Sequence, residues 1–193
     1  MTGGTVGSKL RDTGHASSDH DLVIRTASEI HAAHWQMSGD ESIGDKLART
    51  ITLKWQQQLQ ADAPGRFEVE YQVAPHLNQR IDVVDVIAGV AFELKVSPNN
   101  VHMEFYRDIF KVILARDNRL PGLNRFVFIT PARAARSLNR GMGKAVISDG
   151  ERLGLSIEVV SLYTVADVKQ AKIAELEDQI RLLKAKLTVA GSS

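Results

Sequence analysis

A chain of 193 residues has room for one domain with appendages, and 44% hydrophobic against 24% charged residues is the balance of an ordinary globular protein. Cysteine is absent, which excludes disulfides and thiolate zinc sites, and no apolar run approaches the roughly 20 residues of a membrane span. The formal net charge of +1 is too small for a purely electrostatic nucleic-acid binder, so any contact with phosphates has to come from a local patch.

Residues 1–18 are rich in Gly, Ser and Thr and read as a flexible tail; no apolar segment follows their basic residues, so they are not a secretory signal and the expected setting is the cytoplasm. Val23, Ala27, Ile30, His34 and Met37 then recur at helical spacing until Ser38-Gly39-Asp40. A second helix carries Ile43, Leu47, Ile51, Trp55 and Leu59 and stops at Ala63-Pro64-Gly65. From Phe67 to Val73 apolar and polar residues alternate, the mark of a half-buried strand. Ile81–Ile87 and Val90–Val96 are two β-branched runs joined by Ala88-Gly89, which predicts a tight hairpin.

Ser97-Pro98-Asn99-Asn100 ends the sheet segment and offers Asn100 as a helix cap. In the helix from Val101 to about Arg116, Phe105, Ile109, Val112 and Ile113 point inward, while Glu104, Arg107, Asp108 and Lys111 read as the solvated face. Arg125–Ile129 suits a strand covered on both faces, with Thr130 as cap and Pro131 as first residue of the next helix. Leu155–Leu162 is a further strand, and a charged helix follows from about Ala166. The expected domain spans residues 19–164, with a separate C-terminal helix over 165–193.

The chemistry concentrates between Arg80 and Val96, where charged residues interrupt strands that otherwise read as core. An unpartnered buried carboxylate is costly, so each asks for a reason. A two-residue Ala88-Gly89 loop sets Val84 opposite Glu93 and Asp82 opposite Lys95. Strand residues two apart share a face, so Asp82, Glu93 and Lys95 project together while Asp85, paired with Phe92, points away. Two carboxylates can anchor a hydrated Mg²⁺, with the Leu94 carbonyl as a further ligand. Such an ion activates a bound water, and a lysine beside it can orient that water and stabilise developing charge. The plainer reading is an edge-strand salt bridge such as Asp82 with Lys95. A hairpin loop one residue different would bring Asp85 into the site in place of Asp82.

Asp82, followed eleven residues later by Glu93-Leu94-Lys95 across a hairpin, resembles the signature of the PD-(D/E)xK nuclease superfamily. The resemblance covers roughly residues 40–163, with Ile81 standing where the family often has proline. It implies a restriction-endonuclease-like α/β fold, a mixed central sheet flanked by helices. It also implies Asp82 and Glu93 as metal ligands, Lys95 as catalytic lysine, Mg²⁺ as cofactor with Mn²⁺ as a substitute, and nucleic acid, DNA favoured, as substrate. The competing class is a non-catalytic nuclease-like module that recruits partners through its C-terminal helix.

Other residues are weaker candidates. Glu68 and Glu70 share a face of the first strand, and Glu41 and Asp45 one on the second helix. Each reads first as a solvated charge, with Glu70 leading as an extra metal ligand. Arg133, Arg136 and Arg140, with Lys144 beyond Gly141-Met142-Gly143, line one helical face, equally suited to phosphate contact and to plain solvation. His31 and His34 read as helix-surface histidines. Tyr106 sits where packing and substrate contact explain it equally. Ile173, Leu176, Ile180, Leu183 and Leu187 form a coiled-coil seam, flanked by Lys172 and Glu177, that predicts a homodimer through residues 173–187.

Overall fold

The computed structural model describes residues 14–38, 45–97 and 100–164, with scattered positions from 166 to 184. Two helices open the chain, α1 (Gly14–Ser38) and α2 (Asp45–Asp62). Residues 14–18, expected in the tail, are therefore helical, while 1–13 lie outside the described residues. Three strands follow, β1 (Glu68–Gln72), β2 (Arg80–Asp85) and β3 (Val90–Leu94). Then come α3 (Val101–Asn118), β4 (Arg125–Thr130), α4 (Ala132–Leu138), α5 (Gly141–Asp149), a 3-10 turn over Gly150–Leu153, and β5 (Ser156–Ser161).

The strands make one mixed sheet in the order β1-β2-β3-β4-β5. The β1–β2 and β2–β3 pairs are antiparallel, whereas β3–β4 and β4–β5 are parallel. Parallel neighbours need helical crossovers: α3 serves the first pair, and α4 with α5 the second. Those helices share one face of the sheet, over a core of Val84, Ala91, Phe105, Phe126 and Phe128. On the other face α1 and α2 cover Val83, Phe92, Leu94, Val127 and Ile129 around the fully buried Trp55. The Trp55 indole N–H donates to the Val23 carbonyl at 3.1 Å, so the ring fills the core and still satisfies its polar end. β4 is buried on both sides, as its apolar run predicts.

The hairpin register differs from the expected one by two residues. Asp85 pairs with Val90, Val84 with Ala91 and Val83 with Phe92, and one further step sets Asp82 opposite Glu93. The loop is Val86–Gly89. Asp85 closes it: its Oδ1 accepts from the Ile87 and Ala88 amides at 3.0 and 2.8 Å, and its carbonyl accepts from the Gly89 amide at 2.9 Å. Gly89 has φ +66°, and a β-carbon there would lie 2.1 Å from the Gly122 carbonyl oxygen, so only glycine fits. A slip of two positions preserves the faces, whereas a slip of one would exchange them.

Neither expected cap acts through its side chain. Asn100 precedes α3 in a left-handed conformation without capping it, and the Thr130 hydroxyl instead donates to the Lys95 carbonyl at 2.8 Å. Among the described residues no helix is long and apolar enough to cross a membrane.

Candidate active site

An open polar cleft of about 350 Å³ lies between α2 and α3 at the carboxyl end of β3. In α/β sheets, ligand sites concentrate in the crevice beyond the carboxyl ends of strands. Asp82, Glu93, Leu94 and Lys95 all line this cleft, as does Glu70. Its five acidic and four basic lining side chains nearly balance, so individual pairings decide where a charge is available.

The strands distort where Asp82 sits. The β1–β2 ladder runs from Glu68–Val84 to Gln72–Arg80 but skips the Glu70–Asp82 pair. Glu70 holds φ +50°, a strained value for a residue with a side chain. Across the break, Ile81 and Val83 enter opposite cores, although strict alternation would put them on one face. Gln56 of α2 fills the gap, donating to the Asp82 carbonyl at 2.9 Å and to Glu70 Oε1 at 3.2 Å. Asp82 Oδ2 accepts the Leu94 amide at 3.0 Å, so the carboxylate replaces a ladder partner between β2 and β3. The N–H and C=O of one strand residue leave the same edge, so the Leu94 carbonyl also faces β2.

Electrostatics set these groups apart from ordinary surface charges. Burial raises Asp82 from 3.8 to about 6; the Leu94 amide and the Lys111 charge pull it down, and Asp108 pushes it up. The Asp82 and Glu93 carboxyls line the same cleft, and each bears on the ionisation of the other. Glu93 stands well above the usual carboxylate range because of burial first, then the charges of Asp82 and Asp108, against the pull of Lys111. Lys95 is half-buried and has no ion-pair partner among the described residues, so the plain Asp82–Lys95 salt bridge does not form.

Asp108 and Lys111 correct the reading of α3. Expected on its solvated face, they are only 4% and 7% exposed and line the cleft. The Lys111 ammonium donates to Glu93 Oε1 and, at 2.8 Å, to the Arg80 carbonyl, and it pairs with Asp108 Oδ1 at 2.8 Å. A periodicity count reads 104, 107, 108 and 111 as one polar stripe. The available signal was that this stripe follows directly on a strand that also carries buried charge.

The remaining candidates fall away from this centre or outside the described residues. Asp85 points to the α1–α2 side, 2.7 Å from Arg66, which also holds Asp19 at 2.9 Å. Glu68 is exposed, Glu41 lies outside the described residues, and of Asp45 only the backbone is described. His31 and His34 are half-buried on α1 rather than open to solvent; burial, then His34, lowers the His31 pKa to about 4. Tyr106 packs beside Phe105 with ring centres 5.6 Å apart. Arg133, Arg136 and Arg140 are all exposed, but α4 ends at Leu138, so Arg140 stands in extended backbone ahead of α5 and the basic face is not one continuous helix.

Among the described residues no group of three or more His, Cys, Asp or Glu side chains is arranged to hold a metal ion. Two facing carboxylates with raised pKa values are nevertheless a donor set that a hard, largely hydrated cation satisfies, since Mg²⁺ commonly uses one or two carboxylates and keeps several waters. The residues fit a two-point anchor, not a closed cage. No family model, curated protein or solved structure matches the chain.

Proposed function

We propose that the chain is a metal-dependent nuclease of the PD-(D/E)xK superfamily, with a restriction-endonuclease-like sheet, hydrolysing phosphodiesters of nucleic acid, DNA before RNA. The observation that carries this reading is Asp82 and Glu93 together in one open polar cleft, beside Lys95, which has no ion-pair partner among the described residues. Asp82 and Glu93 hold the Mg²⁺ or Mn²⁺, with the Leu94 carbonyl as a third donor. When bound, that ion supplies Lewis-acid polarisation of the phosphoryl oxygen and a more acidic water. The Lys95 ammonium orients the attacking water and offsets charge growing on the phosphate oxygens. Thr130 fixes the Lys95 backbone through its carbonyl, and Gln56 fixes Asp82 in the same way. Arg133, Arg136 and Arg140 supply phosphate contacts away from the reacting bond. Two copies join through residues 173–187.

A second reading has its own support. Lys111 already pairs with both Glu93 and Asp108, as it would in a scaffold that only binds partners. Incubation of the purified protein with plasmid, linear and single-stranded DNA and with RNA, in Mg²⁺, Mn²⁺ or EDTA, separates the two. Cleavage dependent on the cation is the expected outcome. Intact substrates under every condition would instead favour the interaction module.

A further inference from the structure

Lys111 sits on the same carboxylate that the proposed metal needs. Its side chain comes from α3, yet its ammonium reaches three oxygens on three elements: the Arg80 carbonyl of β2, Glu93 of β3 and Asp108 of α3. Two of these contacts are hydrogen bonds, to Arg80 and Glu93, and the third is an ion pair with Asp108 Oδ1, a buried oxygen that takes no hydrogen bond. Being 7% exposed, it is not a surface charge that drifted towards an acid. Lys95 lines the same cleft but differs in the rest: it is half-buried and without an ion-pair partner among the described residues.

Two carboxylates facing each other in a half-buried cleft are unstable without a cation. Lys111 is the cation that permits Asp82 and Glu93 to fold side by side before any metal arrives. The same contact opposes the metal, because a divalent ion on Glu93 meets the ammonium already there. We propose that Lys111 is a built-in counter-ion that competes with the divalent cation for Glu93, keeping the cleft latched until the cation displaces it towards Asp108. This rests on the reading of Asp82 and Glu93 as metal ligands. It assigns the α3 lysine a positioning role distinct from that of Lys95. Asp108 is the retaining acid: it keeps the released ammonium beside the site, ready to return when the cation leaves.

The sign of the effect distinguishes this role from a structural one. If Lys111 merely braced the cleft, its removal would disorder Glu93 and weaken cation binding. If it competes, removal strengthens binding. Binding of Mn²⁺ to the full chain, followed by calorimetry and by electron paramagnetic resonance, reads this without any cleavage assay. Lys111→Met is expected to bind Mn²⁺ about ten-fold or more tightly than the unaltered protein, and to gain more in melting temperature from saturating Mn²⁺. The double variant Lys111→Met/Asp108→Asn removes an ion pair without changing net charge, so it folds where the single variant fails, and it too is expected to bind more tightly. Adding Glu93→Gln to either background should abolish the gain. Equal or weaker binding by whichever variant folds overturns the competition while leaving the metal site standing. Absence of Mn²⁺ binding in all three proteins overturns both this inference and the nuclease reading. Binding by a variant but not by the unaltered protein supports the latch.

Discussion

At the residue scale, the ionisation of Asp82 bears directly on stability. Its pKa is raised in the folded chain from 3.8 to about 6, chiefly by burial. The folded state therefore holds its proton more tightly, so the contribution of this group is fully present below about pH 4 and lost as pH rises through about 6. At pH 7.5 the ionised carboxylate works against folding. Asp82→Asn keeps an oxygen for the Leu94 amide and removes the charge, and should raise stability by about 2 kcal/mol in urea denaturation. A variant no more stable than the parent would contradict this account of the cleft. Asp85 contributes through its contacts: it accepts from Arg66 and from two turn amides while only 2% exposed. Asp85→Asn should cost about 1–3 kcal/mol yet retain any cleavage activity, a combination read by pairing denaturation with a plasmid assay.

The hairpin shows what the sequence makes legible at the scale of elements. Asp82, Glu93 and Lys95 line one cleft as alternation predicts, although the loop has four residues where two are expected and alternation breaks between Ile81 and Val83. Periodicity fixes parity, but register depends on which side chain ties the turn, and here Asp85 does so four residues before Gly89. The third carboxylate and the second lysine were not legible, because a charged helical stripe is ordinarily solvated. Only the packing of α3 over the charged part of the sheet reverses that. The basic face near Pro131 was only half right: Arg133 and Arg136 share α4, while Arg140 stands beyond its end. If these residues contact phosphates, Arg133→Gln with Arg136→Gln should weaken DNA binding across sequences and reduce the salt slope by about 1 to 2, with Arg140→Gln adding its own decrement. A slope unchanged by all three would mark them as solvated charges.

For the whole molecule, a three-layer arrangement brings α2 from one face and α3 from the other to the same end of β3. A single cleft thereby collects side chains from five elements. The C-terminal segment adds Ile173, Leu176 and Ile180, exposed at 49%, 47% and 51% in one chain, while Leu183 and Leu187 lie outside the described residues. A narrow apolar seam of this kind suits burial against its own copy. Ending the chain after Val165 should convert a dimer to a monomer in light scattering and reduce double-strand cleavage more than nicking. A full-length monomer at micromolar concentration would contradict the dimer.

The central claim is that Glu93 and Lys95 carry metal-dependent hydrolysis while Asp85 does not. The most direct measurement is the rate of Mg²⁺-dependent plasmid cleavage by Glu93→Gln, Lys95→Ala and Asp85→Asn, each shown by circular dichroism to retain the parental fold. The account predicts a loss of about 10²–10³-fold or more for the first two and near-parental activity for the third. Parental rates from Glu93→Gln or Lys95→Ala would contradict it.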